Sequence, residues 1–339
     1  MPPPADAYQQ IIDTLSSCKR VLVTTHVRPD GDALGSSAAM VMGLQQKGIR
    51  AEVLLLSHLP RKYAFVFTDP QIPYHDAEKG WPQGLSLDAF DALVVVDTGT
   101  FSQLPGLEDK IPAYAKPKLV IDHHLTQEDW ADTKLVLTEA AAAGEIVAEL
   151  LQMWDVDLDP KIASALYVAI ATDTGWFEFS NTRPYTHRLA AQLMECGVDT
   201  DRMYQLIYQN ERKERVALQT RALQSMQLLL GDRLAVMRVR IKDFDETGAS
   251  VPDTENLINL PLQIATAEVS LLFTEPKDFG PVRVSLRSKG QVDVARFAEQ
   301  FGGGGHARAA GLKVDDKSFD QAVDEVVAAM IREMTGMTG

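Results

Sequence analysis

The sequence predicts an α/β fold, with a parallel sheet in the first two thirds of the chain and a smaller α/β domain after it. Three observations lead there: short β-branched runs alternate with helical stretches, the early runs are continuously apolar, and from about Arg233 the segments become strand-like with turn residues between them. Alternating strands and helices build parallel sheets wrapped by helices, and strands buried on both faces read as unbroken apolar runs. The length of 339 residues exceeds what one compact core usually holds and points separately to two domains.

Taken in order, the first strand is VLVTT at 21–25, followed later by LVVV at 93–96 and KLVI at 118–121. Behind the first strand, ALGSSAAMVMGLQQKG at 33–48 has apolar positions near helical spacing and a terminal glycine, so it reads as a helix. Two more helices are expected around EAAAAGEIVAELLQMW and DPKIASALYVAIAT, the second opened by Asp159 and Pro160, and a third from about Thr186 to Glu195. Residues 201–230 are charged, helical in period and free of proline and glycine, which predicts a connecting helix. The expected division is a catalytic domain over 1–195, a connecting helix over 196–230 and a substrate-binding domain over 231–339. In the last part, RLAVMRVRI, AEVSLLFTE and GPVRVSLRS read as strands, followed by a helix near 292–300, a loop FGGGGHARAAG and a closing amphipathic helix.

Composition limits the function classes. Hydrophobic residues make up 45% and charged residues 24% of the chain, an ordinary globular balance. No stretch approaches the roughly 20 apolar residues of a membrane span, and MPPPADAYQQ lacks the basic and apolar regions of a signal peptide, so a cytoplasmic protein without a membrane partner is expected. The two cysteines, Cys18 and Cys196, fit neither a disulfide framework nor a thiolate metal site. A formal charge of -14 argues against coating long nucleic acid, which requires many cationic phosphate contacts. A small anion needs only a local positive patch, and bound cations can supply it.

The chemistry-bearing residues cluster at strand ends. His26, Asp30 and Asp32 follow the first strand in THVRPDGDALGSS, Asp97 follows LVVV, and Asp122, His123 and His124 follow KLVI. In isolation Asp30 and Asp32 read as helix caps. Three strand ends with the same character change that reading, because a carboxylate after a buried apolar strand is costly unless its charge is compensated, and ligand sites in open α/β sheets lie beyond the carboxyl ends of the strands. Asp173, at a helix C-terminus where the dipole disfavours an anion, joins them. Asp30, Asp32, Asp97 and Asp173 carry four negative charges that two divalent cations would balance. The imidazole and carboxylate ligands, with no thiolate, suit manganese or a similar ion. His58, His75 and His187 have no comparable partners in sequence and read as ordinary surface or core histidines. Trp176 and Phe177 read more readily as core than as a base-stacking pair.

GGGGH at 302–306, alone, reads as a flexible loop. Between two helical patterns and followed by Arg308, it reads as backbone able to approach an anion closely, with His306 adding a contact.

HVRPDGDALGS, VVVDTG, VIDHH, TDTGWF and GGGGHARAAG together resemble, in order, the motifs of the DHH phosphoesterase superfamily with its DHHA1 C-terminal domain. In length and layout the chain is most similar to the NrnA-type oligoribonuclease branch, which also removes phosphate from 3'-phosphoadenosine 5'-phosphate (pAp). The resemblance implies one cation on His26, Asp30 and Asp97 and a second on Asp32, Asp97, His123 and Asp173, with Asp97 bridging. His124 would face the scissile phosphate, and Asp122 would orient an imidazole. Arg287, Ser288, Gly304, Gly305 and His306 would bind the nucleotide, and Arg283 is a weaker candidate. The implied activity is hydrolysis of short RNA to mononucleotides and of pAp to AMP, and by analogy a homodimer. A cyclic-dinucleotide or pApA phosphodiesterase would use the same cage. A non-catalytic nucleotide sensor should lack cage residues, and here all are present.

Overall fold

The computed structural model describes residues 5–68, 71–276 and 280–336. It divides into two compact units, Met1–Asn210 and Glu211–Gly339.

The first unit is built on six parallel strands, β1 (Arg20–Thr24), β2 (Arg50–Leu55), β3 (Tyr74–Asp76), β4 (Ala92–Val96), β5 (Lys118–Asp122) and β6 (Thr133–Val136), in the order β3-β2-β1-β4-β5-β6. Alternate residues serve opposite faces. Val94, Val96 and Ile121 join the core beneath the helices, whereas Leu93, Val95 and Val120 join a second core with Leu104, Ile111 and Tyr114. Burial on both faces explains the unbroken apolar runs. Around the sheet stand α1 (Ala5–Ser16), α2 (Gly31–Gln46), the single-turn helices α3 (Phe65–Thr68) and α4 (Lys110–Ala113), then α5 (Ala143–Met153), α6 (Pro160–Asp173), α7 (Pro184–Glu195) and α8 (Thr200–Tyr208). Helix α2 is buried from Gly31 to Leu44 rather than on one face, which its small residues Ala33, Ser36, Ser37, Ala38 and Ala39 permit.

The expected connecting helix over 196–230 is not continuous. Helix α8 ends at Tyr208, α9 (Lys213–Gln224) begins after a break, and β7 (Gln227–Leu229) follows. Met203 and Ile207 are buried in the first unit and Leu218 and Ala222 in the second. Residues 209–215 are all polar, so no apolar side chain anchors the turn between them.

The second unit carries a mixed sheet in the order β11-β12-β10-β9-β8-β7, adding β8 (Leu234–Val239), β9 (Val269–Thr274), β10 (Val282–Ser288), β11 (Gly304–His306) and β12 (Ala309–Val314). One core lies with α11 (Val294–Glu299) and α12 (Phe319–Thr335), and a second with α9 and α10 (Ile241–Thr247). The sequence FGGGGHARAAG, expected as a loop, is in large part a hairpin: β11 pairs antiparallel with β12 across Ala307 and Arg308. Glycine makes that pairing possible. Gly305 has φ +149°, and a Cβ there would come within 2.5 Å of the Ala309 carbonyl oxygen.

Candidate metal centre

The strand order reverses direction between β1 and β4, and in open α/β sheets ligands bind outside the carboxyl ends of the strands at such a point. His26 and Asp97 leave the two strands that flank it. Asp97 has φ +62°, an uncommon conformation that Asp tolerates better than most residues. His123 follows β5, the neighbouring strand, while Asp32 lies in the first turn of α2 and Asp173 at the end of α6.

These side chains converge into overlapping sets. The ligand atoms of His26, Asp30 and Asp97 lie within 4.8 Å of one another, as do those of Asp32, His123 and Asp173, and those of Asp97, His123 and His124. Asp97 joins the first two sets, with Oδ2 3.4 Å from His26 Nε2 and Oδ1 3.4 Å from His123 Nε2. His123 Nε2 is also 3.7 Å from both Asp32 Oδ2 and Asp173 Oδ2. Asp97 is 2% exposed and Asp32 1% exposed, so two carboxylates sit almost wholly out of water.

Both imidazoles are oriented from behind. His26 Nδ1 contacts the Val27 carbonyl at 3.0 Å and His123 Nδ1 the Ala140 carbonyl at 3.2 Å. Donation from Nδ1 leaves Nε2 of each ring facing the acids, as for a metal-ligating histidine. Asp32 accepts from Ala143 N at 2.6 Å and from Gly144 N and Ser36 Oγ at 2.9 and 3.0 Å. Asp30 does cap α2, accepting from the amides of Asp32 and Ala33, while its carboxylate lies 3.9 Å from His26 Nε2. The capping and cage readings of this residue are therefore compatible.

His124 differs from its neighbour. Its Nδ1 is 2.8 Å from Asp122 Oδ1, and its side chain is 55% exposed, leaving Nε2 available to a ligand. Asp122 is fully buried and also accepts from the amides of His123 and His124 and, on Oδ2, from Gln127 Nε2 at 2.5 Å. No motif marks Gln127 in the sequence: only the return of its loop onto Gly99, paired as an isolated bridge, brings it to Asp122. Ser36 had a signal: it follows Asp32 by one helical turn.

The charges of these side chains depend on one another. Burial lowers the basicity of His26, but the facing Asp97 and Asp30 outweigh it and raise its pKa to about 9. His123 behaves alike, reaching about 10 through Asp97, Asp32 and Asp173. Burial, with Asp97 and Asp30, lifts Asp173 to about 6. Asp32 is raised by burial and the charges of Asp97 and Asp173, whereas Asp97 is lowered because its two histidines outweigh its burial. Asp122 accounts for the upward shift of His124.

The residues present fit divalent cations. Asp97 Oδ1 is shielded from solvent and has no hydrogen-bond donor in good geometry, although two imidazoles lie near it. Converging nitrogen and oxygen ligands around a buried, unsatisfied carboxylate oxygen are the environment in which a cation repays the cost of burial. A further set, His58, Asp76 and Glu78, is also close together but lies at the surface. His58 thus gains the carboxylate neighbours that its sequence context lacked. His75 contacts Glu52 at 2.7 Å, and His187 stacks on Phe177.

After Asp173 the chain turns through three successive residues of positive φ, Gly175 (57°), Trp176 (61°) and Phe177 (69°). Trp176 packs edge-on against Tyr167, Tyr204 and Tyr208, so both aromatics are engaged with the core.

In the second unit, Arg287, Ala309 and His306 form one row across β10, β12 and β11. Arg283, Ser285 and Arg287 share the outer face of β10, where Arg287 donates to its own Leu286 carbonyl and has no carboxylate partner among the described residues. Partial burial lowers the Arg287 pKa. Ser288 points to the other face, 6% exposed, and its hydroxyl donates to the Val292 carbonyl. Gly304, Gly305 and His306 are exposed.

Comparison with known proteins identifies the two domains that carry these residues. Residues 20–170 match the DHH family N-terminal domain and residues 231–335 the DHHA1 domain. The bifunctional oligoribonuclease and PAP phosphatase NrnA of Thermus thermophilus is 29% identical over 319 residues, covering 93% of this chain and 90% of the relative. The protein of the same name from Bacillus subtilis is 25% identical over 325 residues, covering 94% and 96%. Among solved structures, an exopolyphosphatase-related protein from Bacteroides fragilis superposes with a TM-score of 0.84 at 22% identity, covering 98% of this chain and 97% of that one. The exonuclease RecJ bound to manganese shares the fold at a TM-score of 0.53 and 16% identity, covering 100% and 98%. Both domain matches, in order and joined in one chain, place this protein in the DHH/DHHA1 family of phosphoesterases.

Proposed function

We propose that this chain is a two-metal phosphoesterase that hydrolyses short oligoribonucleotides to mononucleotides and pAp to AMP. The observation that carries the reading is Asp97: one buried carboxylate whose two oxygens face two different histidines, each belonging to its own ligand set. His26, Asp30 and Asp97 would hold one divalent cation, and Asp32, Asp97, His123 and Asp173 the other, manganese being the candidate by ligand chemistry. When bound, such a pair acidifies a water molecule and neutralises charge on the attacking and leaving oxygens.

The chain's own residues supply the rest. Buried ligands and their backbone partners fix the reacting geometry in advance, which lowers the reorganisation needed during reaction. Asp122, braced by Gln127, holds His124 by Nδ1 so that Nε2 can stabilise phosphate charge or protonate the leaving oxygen. On the second unit, Arg287 and His306 with the amides of Gly304 and Gly305 are assigned to the nucleotide. Ser288, with its hydroxyl committed to Val292, is assigned a role in shaping that turn. The NrnA relatives support the choice of short RNA and pAp.

Purified protein supplied with manganese and assayed on pAp, pApA, a cyclic dinucleotide and 5'-phosphorylated RNAs of increasing length tests the reading. Turnover of pAp and the shortest RNAs, abolished by a chelator, is expected. Turnover confined to pApA or the cyclic dinucleotide would move the assignment to a dinucleotide phosphodiesterase, and no turnover on any of them would favour a sensor.

A further inference from the structure

One buried turn contacts Asp32 and His123 directly and is tied through Asn181 to the main chain of Asp173. Residues 140–144, Ala-Ala-Ala-Ala-Gly, lead into α5 and pack in the core. Their backbone makes three kinds of contact. The amides of Ala143 and Gly144 donate to the two oxygens of Asp32, and the Ala140 carbonyl contacts His123 Nδ1. The Ala141 carbonyl accepts from Asn181 Nδ2 at 3.0 Å, and the same amide group donates to the Asp173 carbonyl at 3.1 Å. Two carbonyl oxygens facing one amide group fix which end of Asn181 is nitrogen. A Cβ at position 144 would stand 2.5 Å from the Ala169 Cβ, so glycine also lets the turn approach α6.

The turn is held in its own place by Glu145. This carboxylate, 1% exposed, accepts from the Ala141 amide at 3.0 Å, from the Thr186 hydroxyl and from the Arg183 guanidinium. A buried carboxylate is tolerated when it is paired and fully hydrogen-bonded, and this one has all three partners. Neither Glu145 nor Asn181 belongs to a ligand set.

We infer that Glu145 and Asn181 are positioning residues of the metal centre. Glu145 sets the 140–144 turn, and Asn181 ties the end of α6 to it, so that Asp32, His123 and Asp173 are aimed at one point before a cation arrives. The inference rests on the metal-centre reading above. The competing account is that Glu145 only joins α5 to α7 and Asn181 only fills a loop, in which case their loss lowers stability and nothing else.

The test compares wild type with Asn181→Ala, Glu145→Gln and Glu145→Ala, all in the 339-residue chain. Mn2+ alone is titrated below each variant's Tm, with free ion followed by electron paramagnetic resonance, and kcat and KM are measured in parallel. Partners that hold a metal-ligating residue from behind typically change metal affinity about 10- to 100-fold. Asn181→Ala is expected to weaken Mn2+ binding within that range, with kcat partly restored by excess Mn2+ and KM for the nucleotide little changed. Glu145→Gln, able to keep one acceptor for the Ala141 amide, should fall between wild type and Glu145→Ala. Should Glu145→Ala fail to fold, the other two variants carry the test. Folded variants with lowered Tm but wild-type Mn2+ affinity and kcat overturn the positioning role while leaving the metal centre intact. A wild-type chain that binds no Mn2+ overturns both.

Discussion

The two sheets of this molecule use polar residues in opposite ways. In the parallel sheet, both faces are consumed by core, and functional side chains collect at the carboxyl ends of strands that are distant in sequence. In the mixed sheet, antiparallel pairing sets Arg287, Ala309 and His306 side by side on an open face. A site of the first kind is a point lined with buried charge. A site of the second kind is a surface with one buried flank. On the proposed assignment, chemistry and recognition do not share one geometry: substitutions in the first unit should act on kcat and those in the second on KM.

The strongest way to break this comparison is Asp97→Ala. Loss of the shared carboxylate should lower kcat by at least about 1,000-fold while the circular dichroism spectrum stays native, matching the effect of removing metal with a chelator. Retention of a tenth of wild-type turnover would show that the point site is not where chemistry occurs. Next in size, His124→Ala should lower kcat about 100-fold, within the range for a lost proton-transfer group, with Mn2+ affinity near wild type. A large loss of Mn2+ binding would instead make His124 a ligand.

In the second unit, Arg287→Ala should raise KM about 10-fold or more, the worth of a charge-assisted hydrogen bond, and leave kcat within a factor of about 2. An unchanged KM with a fallen kcat would erase the division of labour.

The smallest expected effect concerns pH. In the metal-free chain His26 titrates at about 9 and His123 at about 10, against an ordinary 6.5. The folded state then keeps protons that the unfolded state has released, so their stabilising contribution is complete below pH 6.5 and lost as pH rises through 9 to 10. Calorimetry in the presence of a chelator should show Tm falling from neutral pH toward pH 10, whereas saturating Mn2+ should flatten the slope because the cation replaces the protons. A chelated protein with a level Tm over that interval would mean that the imidazoles are not charged by their neighbours.

Much of the first unit is legible in the sequence for the same reason that its site is a point. VLVTT, LVVV and KLVI read as buried strands, and parallel strands end on one side, which brings the residues after neighbouring strands together. The spacing of the buried Tyr8, Ile11, Ile12 and Leu15 also carries α1. The hairpin of β11 and β12 is harder. Gly304, Gly305, Ala309 and Ala310 have little strand preference of their own; the edge of β10 orders β12, and β12 in turn orders β11. Gln127, Asn181 and Glu145 share a different obstacle: each acts through a backbone or side-chain partner 4 to 41 positions away, with no motif to announce it.

The three left-handed residues after Asp173 have a consequence for how that charge is kept in place. Non-glycine residues pay roughly 1–2 kcal/mol each for this conformation, and here two bulky aromatics adopt it in succession. The rings of Trp176 and Phe177, gripped by Tyr167, Tyr204, Tyr208 and His187, offset a backbone that would otherwise relax toward an ordinary turn. The segment is a loaded spring latched by aromatic packing, and slackening the latch would let the end of α6, with its carboxylate, drift from register.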